Sequence, residues 1–328
     1  MRLWHFFVRL FDQKEAGTSL ALFRIALGLT TLYSLLSIAG AGLVGALWTD
    51  VQYGGMRHLT GNFLVQALGG PRPQVVWTLW GLATASALGF TLGLGGRRSA
   101  RIITLALLYS YNGLITINPF ASGGYDLLMT NAFWVLVFAE PTATLSLRCR
   151  WRHQSYVDSA HVSAWPRYVL LVQLFLMYTL TGLQKTALVW TPGGGYEALY
   201  WVMQDPTWTR MDMSYIAAYA TPLLRIGTAL TWHWEQLSFL VLVWLYYRYT
   251  ASKGGRVRNW VLRRDWRLGW VLIGLLLHIN ILVFMNVGPF SWVTLSFYFL
   301  LCTPEEWHRI GRSQLRLAKG KAPVRTQS

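Results

Sequence analysis

Lys185 lies at the end of a long apolar stretch, in YTLTGLQKTALVW at 178–190. No charge precedes it from Tyr168 to Thr181. An ammonium there has three uses: anchor, ion-pair partner or general base. Gly182 allows another helix to approach closely, and Trp190, followed by Pro192 and three glycines, suggests that the chain folds back over the amine. A covered lysine loses hydration, which favours its neutral form and lets it accept a proton. Snorkelling of the amine to the headgroups competes with that reading.

Four further polar side chains stand inside apolar runs, where an ionisable group is costly and raises a question of function. Glu235 is about 13 residues into its run, roughly 20 Å of helix at 1.5 Å per residue. At that depth it must be protonated or paired. His233, two residues away, points to another face. His278 and Asn280 lie near the middle of a later run. Interhelical hydrogen bonding and a polar, ligand-binding cavity are the two readings of this set, to which Asn112 and Asn131 add amides. Arg24 and Arg225, near the ends of their runs, read as snorkelling anchors or packing residues. No His, Cys or carboxylate spacing supports a metal site, and Cys149 and Cys302 form no redox motif.

The elements that must position these groups are membrane helices. Only 13% of the 328 residues are charged and 54% are hydrophobic, against about 25% charged in soluble domains. The 18 Trp and 16 Tyr suit the headgroup level of a bilayer. A spanning helix needs about 20 mostly apolar residues. Eight candidates meet that pattern, at 19–40, 74–94, 102–118, 127–146, 168–188, 222–247, 268–286 and 289–303. The last two are split only by NVGPF, where Gly288 and Pro289 favour a turn, and seven spans is the alternative. The expected fold is therefore all-α, a polytopic membrane bundle over 1–303. MRLWHFFVRLF at 1–11 reads as an interfacial helix, and 304–328 as a basic tail.

A net charge of +16 would suggest nucleic acid in a soluble protein. Here the loops on one side of the expected map, with both termini, carry 23 of the 29 Lys and Arg. That bias places both ends in the cytoplasm of a multi-pass protein of the cell (inner) membrane and makes a nucleic-acid partner unnecessary. Both cysteines fall on the reducing side, so no disulfide is expected. The outer segments 48–73 and 189–221 are rich in aromatics, Gly and Pro, and suit short surface helices or loops. ALGFTLGLGG spaces Ala85, Gly89 and Gly93 for close helix packing, without the Lys-Ser/Thr of a phosphate loop. No inverted repeat is evident, which ranks a transporter last.

SLALFRIALGL at 19–29 resembles the start of the HTTM family, the membrane domain shared with vitamin K-dependent gamma-carboxylase. AHVSAWPRYVLLVQLFLMYTLTGLQKTALVW at 160–190 is similar to that enzyme's fifth-helix region. There Lys185 matches the lysine proposed as its catalytic base and Trp190 the tryptophan five residues on. HINILVFMNVGPFSW at 278–292 is similar to a His…Ile-Gly-Met-Phe-Ser-Tyr segment, with the same interval from His278 to Gly288. The resemblance covers roughly residues 17–303. It implies an outward-facing site using a reduced, vitamin K-like quinone. Lys185 would deprotonate the hydroquinone, oxygenation would yield a strong base that takes the γ-proton of Glu, and CO2 would add. Trp190, His278, Asn280, Glu235 and His233 would line or order the cavity. Two departures stand out. A large lumenal domain follows the spans of the family enzyme where a short basic tail follows here, and its fourth-span His is replaced by Glu140 in VFAEPTAT. Two classes of function follow: a quinol-using membrane enzyme, or a non-catalytic factor for maturing or assembling a secreted or membrane partner.

Overall fold

The computed structural model describes residues 5, 8, 9, 11–158, 161–249 and 251–311. The interfacial helix expected at 1–11 falls mostly outside them, as does the tail beyond Gly311. The chain forms two compact units, residues 1–169 with 296–328, and residues 170–295. Their principal elements are β1 (Lys14–Ala16), α1 (Thr18–Gly40), α2 (Pro73–Leu92), α3 (Arg97–Ile117), α4 (Gly124–Phe138), α5 (Leu147–His153), β2 (His161–Ser163), α6 (Trp165–Gln184), α7 (Thr221–Gln236), α8 (Phe239–Tyr249), α9 (Trp266–Phe284) and α10 (Phe290–Tyr298).

All eight expected runs carry helix, and the protein is an all-α, multi-pass membrane type. The count of full-length spans differs. Five helices, α1, α2, α3, α6 and α9, are long and apolar enough to cross a bilayer, with α4 and α8 apolar but shorter. The run at 127–146 stops at Phe138, three residues before Pro141, which has no N–H to continue a helix. The run at 222–247 breaks into α7 and α8 at Leu237 and Ser238. Ser238 is fully buried there; its hydroxyl donates back to the Trp234 carbonyl (2.8 Å) and accepts from the Trp270 indole (2.8 Å). Such back-bonding offers the chain an alternative to the helical ladder. The all-α reading also gains a small antiparallel pair, β1 with β2, in register Glu15 to Val162.

In the first unit, consecutive helices pack through small residues. A Cβ on Gly28 would come within 3.1 Å of the Thr91 Cα, which sets the spacing of α1 and α2. Ala83 and Ala87 on α2 are fully buried, whereas Ala85 of the expected small-residue stripe is exposed. Gly89 is buried in that packing beside Ile103, although a Cβ there would make only an ordinary contact at 3.4 Å. Of the two readings of Arg24, packing holds and snorkelling does not. It is fully buried, and its guanidinium donates to the carbonyls of Pro141 (3.1 Å) and Leu145 (2.6 Å), which the turn after α4 brings inward. Gly93 makes room for it, because a Cβ there would fall 2.3 Å from Arg24 Nη1. At the start of α6, Arg167 grips both carboxylate oxygens of Glu15 at 2.7–3.0 Å and reaches the Leu300 carbonyl at 3.3 Å.

The segments 48–73 and 189–221 carry short helices as expected, at Phe63–Ala67 and at Ala198–Val202 and Ser214–Tyr219, and a further one, Val44–Trp48, leads into the first. In the first of these segments Asp50 caps a turn: its carboxylate accepts from the amides of Gln52 (3.0 Å) and Leu59 (2.7 Å).

Candidate functional site

In the second unit α6 and α7 meet at Gly182. A Cβ on this buried glycine would lie 2.7 Å from the Gln236 amide nitrogen and 2.8 Å from the Glu235 Cβ. Only a residue without a side chain lets the backbones come so close. The contact is reinforced by the Gln236 side-chain Nε2 donating to the Gly182 carbonyl (3.3 Å) and the Trp232 indole donating to the Lys185 carbonyl (3.3 Å).

That approach delivers Lys185, one residue past the end of α6, to Glu235 on α7. Nζ and Oε2 are 2.5 Å apart, and the two side chains are only 19% and 8% exposed. The depth argument for Glu235 therefore resolves to a paired carboxylate. The chain then turns through Leu188–Trp190 and Pro192–Gly194. A Cβ on Gly194 would lie 2.2 Å from the Leu188 carbonyl oxygen, so glycine closes the turn. The turn holds the Trp190 ring 4.3 Å from Lys185 Nζ, in a cation–π contact. The expected fold-back over the amine is present.

A second polar group lies in the same unit. His278 is fully buried between two hydroxyls, Tyr178 at 2.5 Å from Nε2 and Ser291 at 3.2 Å from Nδ1. Trp234 and Trp270 pack against Tyr178, with ring centroids 4.6 and 5.4 Å away. Tyr178, Ser291 and both tryptophans were not singled out from the sequence. Tyr178 had a usable signal, since it precedes Lys185 by two helical turns and so shares its face.

The remaining expected residues separate from these groups. His233 is exposed and faces Tyr196 (3.2 Å), whose φ of 59° is unusual for a residue with a side chain. Asn280 is exposed, and its amide donates to the Leu276 carbonyl of its own helix (2.7 Å). Two residues from His278 is about 200° around a helix, so the two cannot line one cavity wall. Arg225, expected as an anchor, pairs with Glu197. Glu140 pairs with Arg97 at 2.9 Å in the first unit.

The chemistry available is proton exchange. Lys185 and Glu235 hold an exchangeable proton under an aromatic cover. Among the described residues no group of three or more His, Cys, Asp or Glu could hold a metal ion.

No curated protein and no solved structure matches the chain. Residues 12–307, which include every group described above, match the HTTM domain, and the protein belongs to the HTTM family.

Proposed function

We propose that this HTTM protein is an enzyme of the cell membrane that acts on a lipophilic quinol, with Lys185 as proton acceptor. The Lys185–Glu235 pair beneath Trp190 carries the reading. A plain anchor would leave its amine among headgroups, and this one is paired and covered. A reduced quinone bound there supplies an acidic hydroxyl and a ring that oxygen can oxidise. With the shared proton on the Glu235 carboxyl, Lys185 Nζ has a lone pair to accept the hydroxyl proton. The resulting ammonium stays beside the oxyanion it has made and stabilises it. Trp190 limits the water that would compete for that charge. The Tyr178–His278–Ser291 group orders the interior of the same unit. Carboxylation of Glu in a secreted partner is the downstream step suggested by the resemblance to gamma-carboxylase. The sorted basic loops support cytoplasmic termini.

A second reading, a non-catalytic factor that binds a secreted or membrane partner, draws on the exposed Trp201, Tyr215 and Tyr219 of the outer segment. Lys185→Ala and Lys185→Arg in the purified full-length protein separate the two. Arg keeps the charge and cannot give up its proton. Both variants should lose quinol-dependent oxygen uptake by about 10²-fold or more. Wild-type uptake retained by Lys185→Arg would sink the base assignment. Mass spectrometry for gamma-carboxyglutamate in co-expressed secreted proteins tests the downstream step.

A further inference from the structure

The first unit holds a cluster of arginines that the proposed chemistry does not use. It lies at one end of that unit, where α2 and α4 stop and α3 and α5 begin. Two adjoining hollows share Glu140, Thr142 and Arg148 as walls. The narrow one, about 10 Å³, is also lined by Arg97 and Arg101. The wider one, about 200 Å³, is also lined by Arg152. The acidic groups here are already engaged: Glu140 with Arg97 at 2.9 Å, and Asp158 with His153 at 3.4 Å. Among the described residues the other cations here have no carboxylate within ion-pair distance: the Arg148 guanidinium donates to the Thr142 hydroxyl (3.4 Å), and Arg152 pairs with no acid. The Nε of Arg101 is buried without a hydrogen-bond acceptor. A buried donor left unmade is costly, and arginine forks suit phosphate oxygens.

Apolar surface runs up to the same hollow. On α3, Ile102 is 66% exposed, and Tyr109 lies on its face two turns on. On the neighbouring α4, Phe138 is 61% exposed, one turn beyond Trp134. Tyr109 and Trp134 meet edge to face with centroids 5.9 Å apart. These side chains make an apolar seam on α3 and α4 that ends at the arginines. A phosphate with acyl chains would satisfy both surfaces at once, and free phosphate only one.

We propose that Arg101, Arg148 and Arg152 form a binding site for the phosphate of an anionic phospholipid, whose acyl chains lie along the α3–α4 seam. Basic pockets between membrane helices recognise such headgroups.

The test is native mass spectrometry of the delipidated full-length protein in detergent, titrated with phosphatidylglycerol, phosphatidylcholine or inorganic phosphate. Phosphatidylglycerol should bind at least about tenfold more tightly than phosphatidylcholine, and Arg101→Gln with Arg148→Gln should remove that preference. Arg256→Gln, an exposed arginine of the second unit, should leave it intact, which distinguishes a site from general basicity. If the double variant does not fold, Arg148→Lys with Arg152→Gln makes the same comparison while retaining Arg101. An unchanged preference in the arginine variants, or an equal loss in Arg256→Gln, overturns the proposal. Inorganic phosphate displacing phosphatidylglycerol at equal concentration would assign the site to free phosphate and overturn the lipid assignment.

Discussion

Arg167 with Glu15 in the first unit and Lys185 with Glu235 in the second are built from the same parts. Each has a cation at an end of α6, a carboxylate from another element and a ring by the cation, Tyr168 at 4.7 Å and Trp190 at 4.3 Å. The arginine uses a planar fork, meets both oxygens of its carboxylate and spends a further donor on the Leu300 carbonyl. Its charge is permanent. The lysine makes one short contact to one oxygen. Two pairs of similar burial therefore differ in kind: the first ties distant parts of its unit together, and the second can pass a proton.

Removing one member of the first pair should have the largest effect. Arg167→Leu leaves Glu15 nearly buried with no cation, which costs about 3–5 kcal/mol. A large fall in melting temperature in detergent is expected, with Arg167→Lys recovering only part because it lacks the fork. A melting temperature equal to wild type would contradict the bracing role. The second pair should couple less strongly, since one short contact replaces several. A cycle of Lys185→Met, Glu235→Gln and the double variant should give a coupling of about 1–2 kcal/mol by denaturant or thermal unfolding. A value as large as the Arg167 effect would erase the distinction.

Asp50 sharpens the contrast from the other side, as a carboxylate held mainly by backbone amides. The N–H groups of Gln52 and Leu59 keep its carboxyl below the ordinary range. A lowered folded value means that its stabilisation is complete above the ordinary value of about 4 and is lost as pH falls through the folded one. Hydrogen exchange should therefore show residues 50–59 loosening in acid. Asp50→Asn should remove that pH dependence. This is the smallest expected effect, confined to one turn.

The outcomes for Arg24 and Glu235 show where local reading stops. Both are ionisable residues in apolar helices. Read as one unbroken run, 222–247 puts Glu235 too deep to snorkel, so rise per residue alone required protonation or pairing. Arg24 sits within two turns of a helix start, where snorkelling and burial are equally open to a single helix. The choice was made by carbonyls of Pro141 and Leu145, more than a hundred residues away. The break at Ser238 was hidden for the same reason. A continuous apolar run has the same composition whether or not a buried serine leaves the ladder, and the indole that engages this serine comes from α9.

Composition and charge order were sufficient for the membrane class, the helical character of all eight runs and the presence of an amine at the end of one of them. These properties depend on order along the chain: apolar length is read within single segments, and charge sorting from the succession of loops. Gly182 likewise announced a close helix approach. Which helix approached, and that it brought Glu235 to Lys185 while leaving His233 and Asn280 facing elsewhere, was decided by tertiary structure. Helical phase places residues on a face, but the partner of that face lies 50 positions along the chain from Lys185, and only packing selects it.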